Sequence, residues 1–191
     1  MAKPLRSKQR HKEKSIGQDR RQRAFNLTIL AIGLVIIVVI SAYALTRPTT
    51  VTLPPYLNVC IPKVGNPVYV STPQLNITIN GQHLGIPFNI GIVGKCIRPI
   101  STRSEGGGVI HIDALLDRDY TLGDFFLVWG NTFGVQYADF SQTQIFGYKV
   151  GGNHTLTLMI NNQTDIRFQN YPFPRDANFT SNPLHIYITY S

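Results

Sequence analysis

The chain has only two cysteines among its 191 residues, Cys60 and Cys96, and a single tryptophan, Trp129. It has no C-x-x-C, the close spacing usual for a redox-active cysteine pair. It has no G-x-S-x-G elbow, and no serine or cysteine stands in a context that marks it as activated, so nucleophilic catalysis is unsupported. Its five histidines, His11, His83, His111, His154 and His185, show no ligand spacing between any two. No residue is assigned a catalytic role and no cofactor is expected.

Acids are scarce too: ten against eighteen bases, for a net charge of +8. Residues 1–23 hold nine of the bases against Glu13 and Asp19, a net of +7, and the other 168 residues hold nine bases and eight acids, a net of +1. The basicity therefore belongs to a tail. No aromatic residue interleaves its bases to stack on nucleobases, which argues against a nucleic-acid partner.

Directly after the tail comes "AFNLTILAIGLVIIVVISAYAL", residues 24–45, with no charge and no proline. At about 1.5 Å per residue a helix of this length spans about 33 Å, the thickness of a hydrocarbon core. It reads as a transmembrane signal-anchor helix. The one-sided bases place the tail in the cytoplasm and the rest of the chain outside the cell membrane. The competing reading is a cleaved signal peptide, with "AYA" at 42–44 as the cleavage site, but such apolar regions run only about 7–15 residues. In the anchored topology the partners are the bilayer, anionic lipid headgroups at the tail and another membrane or cell-surface protein. Each basic residue near such headgroups gains roughly 1 kcal/mol.

Residues 46–67 carry five prolines and no long periodic pattern, and read as a semi-extended spacer that lifts the domain off the bilayer, with room for its end to pack onto the domain. Residues 68–191 then form one extracytoplasmic domain, mostly of strands. "LNITINGQ" (75–82) alternates apolar and polar residues into Asn80-Gly81, a type I′ hairpin signal. "LTLMINNQ" (156–163) repeats the layout, with four of eight positions identical. "GVIHID" (108–113) and "LHIYITY" (184–190) are further strands. In the anchored topology both cysteines lie outside the membrane, where disulfides persist, and a Cys60–Cys96 bridge would pin the spacer to the domain.

The densest stretch is "GGGVIHIDALLDRDYTLGDFFLVWG" (106–130). Thr121 can cap a helix, with Asp124 three residues on completing a capping-box pair. Leu122, Phe125, Phe126 and Trp129 fall on one apolar face, and Gly130 is expected to stop the helix after two turns. The fold expectation is α+β and β-rich: a mostly antiparallel sheet with one short helix packed on it, β-grasp-like or sandwich-like, preceded by one transmembrane helix. His111 and Asp113 share a strand face, opposite Ile110 and Ile112. Together with Glu105 they are the only residues that suggest a metal- or redox-dependent alternative, and a metal site needs about three or four ligands. "EGGGV" (105–109) runs into a strand rather than a helix, so it lacks the phosphate-cradling helix end and reads as a flexible loop. Four N-glycosylation sequons begin at Asn76, Asn153, Asn162 and Asn178.

The run "LNITING…IPFNIGI…C…GVIHID…DYTLGDFFLVWG" resembles a family of small exported or membrane-anchored archaeal and bacterial proteins whose function is not established. The family's pattern is H-x-H-L-x-V-x-V-x-G, then I-P-x-x-I-G-I, then H-T-H-D-x-x-G-V-I-H-I-E and T-L-G-x-F-F-x-x-W-G. The resemblance covers roughly residues 72–190, and the long basic tail and proline-rich stalk resemble archaeal members. Laid on without gaps, the family's H-T-H-D falls on Thr102, Arg103, Ser104 and Glu105, and its H-x-H on Thr72, Pro73 and Gln74. If those histidines bind metal in relatives, this chain keeps only His111, Glu105 and Asp113. What it retains is structural: strand, glycines, cap and aromatic face. The expected function is a membrane-anchored extracytoplasmic binding module or accessory subunit.

Overall fold

The computed structural model describes residues 51–62, 66–103 and 107–191; the tail, the apolar run 24–45 and Glu105 lie outside the described residues. Among the described residues no helix is long and apolar enough to cross a membrane. The first strands are β1 (Tyr69–Ser71), β2 (Gln74–Ile79), β3 (Gln82–Leu84), β4 (Ile92–Val93), β5 (Cys96–Ile97), β6 (Ile100–Thr102) and β7 (Ile110–Ala114). Helix α1 (Leu122–Phe133) and a 3₁₀ turn (Val135–Ala138) lead into β8 (Phe140–Ser141), β9 (Gln144–Ile145) and β10 (Tyr148–Lys149). The remaining elements are β11 (Leu156–Ile160), β12 (Gln163–Asp165), a second 3₁₀ turn (Phe168–Asn170) and β13 (His185–Tyr190).

Both expected hairpins form. Asn80 and Gly81 turn β2 into β3 with φ of 50° and 78°, and Asn161 and Asn162 turn β11 into β12 with φ of 46° and 68°. Two consecutive positive φ values match the twist of paired strands, and Asn and Gly reach them at least cost. The hairpins do not meet directly. β13 lies between them, antiparallel to β11 and parallel to β2, in the order β12-β11-β13-β2-β3. Register aligns Leu84, Ile77, Ile188 and Leu158 in one row across this five-stranded sheet. The opposite face carries Gln74, Asn76, Thr78, His185, Tyr187 and Thr189, with no acid, lysine or arginine among them.

"GVIHID" enters a different sheet from the hairpins, the antiparallel β1-β7-β6. The two sheets meet where Leu75 N–H donates to the Gly108 carbonyl and Ile110 N–H to that of Pro73, both at 2.9 Å. A Cβ on Gly108 would sit 2.1 Å from the Leu75 carbonyl oxygen, and its φ is +76°. At its described end the glycine-rich run is therefore a tight backbone crossing rather than a flexible loop. The core is continuous through both sheets: Leu75, Ile77, Leu158 and Ile188 share one cluster with Ile110, Ile112, Phe125 and Trp129.

Helix α1 begins as expected but does not stop at Gly130. It continues to Phe133, and Gly134 caps it by donating to the Gly130 carbonyl. Gly130 serves close packing instead. A Cβ there would lie 2.4 Å from the Ala138 Cβ and 2.6 Å from its nitrogen, so only hydrogen lets the 3₁₀ turn cross the helix. That crossing lays Tyr137 flat on Trp129, with centroids 5.2 Å apart and planes 3° apart.

Residues 51–62, the main described part of the proline-rich stretch, pack onto the domain. Leu53 and Leu57 are buried in the core cluster, and Leu57 N–H closes a turn onto the Pro54 carbonyl. The Cys60–Cys96 disulfide joins positions 36 apart, and Ile61 N–H donates to the Ile97 carbonyl beside it. The prolines shape a strap on the body, because burying a leucine contributes about 1.5–3 kcal/mol and outweighs leaving that segment extended in water.

Candidate functional site

The dense motif gathers as its spacing implies. Thr121 Oγ1 accepts from Asp124 N–H at 3.2 Å while Thr121 N–H donates to Asp124 Oδ2 at 3.0 Å. Leu122, Phe125, Phe126 and Trp129 are all buried. The carboxylate does more than cap: its Oδ1 accepts the Tyr56 hydroxyl of the strap at 2.7 Å. Arg118 lies 3.4 Å over the Tyr56 ring, and Tyr120 stands edge-on to both Tyr56 and Tyr69. Burial pushes the Tyr56 phenol up to about 12, aided by the hydrogen bond to Asp124, and burial does the same to Tyr69. Tyr120 and Tyr171 shift upward for the same reason. Neutral phenols held this way pack and donate; they are far from the ionisation that acid–base work at neutral pH requires.

His111 and Asp113 share the outer face of β7, as their spacing implies, with Ile110 and Ile112 inward. Asp113 forms an ion pair with Arg103. Among the described residues no three His, Cys, Asp or Glu side chains come close enough to hold a metal ion. Elsewhere, Asp165 is held below the usual carboxylate range by hydrogen bonds from Arg167. Burial lowers the Arg98 guanidinium, whose Nε and Nη1 have no hydrogen-bond partner among the described residues.

The sequons differ in setting. Asn76 lies mid-strand on the outer sheet face, half-buried, whereas Asn153 and Asn162 are exposed in turns and Asn178 is exposed at a bridge to Asn182. Asn178 Oδ1 accepts from the Thr180 hydroxyl of its own sequon at 2.7 Å.

A cleft of about 550 Å³ opens beside the first hairpin. One wall is Ile79, Asn80, Gln82, His83 and Leu84, and the other is Gln136, Tyr137, Phe146 and Tyr148. None of these is acidic, lysine or arginine. The aromatic wall is braced from behind, since Trp129 stacks on Tyr137 and stands edge-on to Phe146 at 5.1 Å. Phe146 holds φ at +51°, a conformation uncommon for a bulky residue. It does so in the tight turn from β9 to β10, its ring fixed by Trp129, Tyr137 and Phe126. Sequence reading missed this site because its walls are 50 to 70 residues apart along the chain and no periodic pattern marks residues 131–150. The available signal was the aromatic series Tyr137, Phe140, Phe146 and Tyr148, which is too dense for an ordinary polar connection. The comparisons with known proteins add no relative: no protein-family model, no curated protein and no solved structure matches this chain.

Proposed function

We propose that the chain is a single-pass membrane-anchored protein whose extracytoplasmic domain is a binding module or accessory subunit, with the cleft between the first hairpin and Tyr137 as its binding surface. The observation that carries this reading is the cleft itself, which faces side-chain amides across braced aromatic rings. Pockets of about 300–1,000 Å³ with mainly apolar and aromatic walls and a few convergent polar groups are the usual form of a ligand site. The uncharged helix-length run at 24–45 and the one-sided basic tail support the anchor. A β-grasp-like reading of the five-stranded sheet is supported over a sandwich by two hairpins flanking the single strand β13, which runs parallel to β2, with α1 between the hairpins in sequence.

The test is a photo-crosslinking residue placed at Tyr148 in the full chain, irradiated in the membranes of its own cells. A covalent adduct at 148, absent when the crosslinker sits at Thr189 on the outer sheet face, is the expected result. Recovery of unmodified protein at both positions overturns the reading.

A further inference from the structure

Building on that reading of the cleft, we propose that its ligand is an uncharged saccharide. Three observations converge. With no lysine, arginine or carboxylate in its walls, the cleft holds no permanent charge for an ionic ligand, and His83 is the one wall residue that can carry a positive one. Second, Tyr137 has one face taken by Trp129, and no other ring among the described residues stacks on its second face. An aromatic face is the negative end of a quadrupole, and one that lines a cleft suits the weakly positive C–H face of a pyranose ring. Third, Asn80, Gln82 and Gln136 each offer a carbonyl acceptor and an N–H₂ donor, the pairing that vicinal hydroxyls need. An aliphatic ligand would strand those amides without partners.

An ammonium ligand would also favour aromatic faces, but it would find no counter-charge in this cleft. The bracing is consistent with a saccharide, because stacking needs a ring already fixed in orientation. The strained Phe146 turn and the flat Trp129–Tyr137 stack supply that before any ligand arrives.

The experiment uses the full chain in lipid nanodiscs, so that no sugar-headed detergent competes. The probes are neutral trisaccharides of glucose, mannose, galactose and N-acetylglucosamine, with choline and glucuronate as charged comparisons. The readouts are calorimetry and the fluorescence of Trp129, the sole tryptophan. Saturable binding of at least one neutral saccharide is expected, weakened at least tenfold by Tyr148→Ala and by Gln82→Ala. Both positions are exposed, and because the Tyr148 ring also packs on Tyr190, binding is compared well below the melting temperature of each variant. Failure of every neutral saccharide to saturate, preference for choline or glucuronate, or undiminished binding by both variants overturns the proposal. A crosslinked adduct at position 148 without saccharide binding sinks the saccharide while leaving the binding module standing. Absence of both removes the two together.

Discussion

Tyr56 and Asp124, 68 residues apart in sequence, are joined at 2.7 Å by a hydrogen bond that makes the helix cap and the strap anchor a single carboxylate. Oδ1 takes the strap and Oδ2 takes the backbone of Thr121. Loss of the Tyr56 hydroxyl should remove one hydrogen bond to a charged group, worth about 1.5–3 kcal/mol when well shielded. Because Tyr56 is only half-buried, Tyr56→Phe is expected at or below the lower figure. Asp124→Ala should cost more, since it also loses about 1 kcal/mol of capping. In a double-mutant cycle followed by denaturant unfolding the two losses should not add. Strict additivity would show that strap and cap are energetically separate.

Alkaline pH should loosen the fold. Tyr56 and Tyr69 are raised from 10.0 to about 12, chiefly by burial. Their folded pKa values exceed the unfolded ones, so their contribution is complete below pH 10 and is lost as pH climbs from 10 toward 12. Unfolding midpoints measured from pH 9 to 12 should fall steadily above 10, and Tyr56→Phe should flatten part of that slope. A parent curve that stays level to pH 12 would contradict the assignment.

Gly130→Ala tests close packing against helix propensity. Alanine favours a helix interior over glycine by about 1 kcal/mol, so a free surface would make this variant more stable. Here the added methyl meets Ala138 at 2.4 Å. Overpacking of that kind costs about 1–3 kcal/mol, and a net loss in thermal melts is expected, with altered Trp129 fluorescence as Tyr137 is displaced.

Reduction of Cys60–Cys96 should destabilise the body without unfolding it. For a separation of 36, the chain-entropy account gives about 3–4 kcal/mol, and ordinary domains hold roughly 5–15 kcal/mol in total. Melts with and without reductant, checked against Cys60→Ser, measure the difference. An unchanged melting temperature would mean that Leu53 and Leu57 hold the strap by themselves.

Local chemistry was legible in the sequence; beyond the pairing of the two cysteines, Cys60 and Cys96, long-range pairing was not. Asn80-Gly81 announced its turn, Thr121 and Asp124 announced their cap, and the alternation of Ile110 and Ile112 against His111 and Asp113 announced which side faces inward. These signals rest on neighbours within four residues. Gly130 misled because glycine marks a helix end and a close crossing equally well, and only Ala138 decides between them. The burial of Leu53 and Leu57 was hidden by the surrounding prolines, which suit both a stalk and a tight strap. The cleft was invisible for the same reason that β13 could be recognised as a strand but not placed. Neither Tyr137 nor Ile188 carries any mark of the residue it will meet.

The position of β13 between β2 and β11 also sets a timetable. A ribosome releases the first hairpin long before the strand that must lie against it, and α1 emerges with its aromatic face uncovered. Loop closure over such separations is slow, so a partly made chain exposes Leu75 and Ile77 along an unfilled edge. If this domain is threaded across a membrane, it has reason to stay unfolded until residues 185–190 arrive. Removing those few residues should leave two unjoined hairpins rather than a smaller version of the domain.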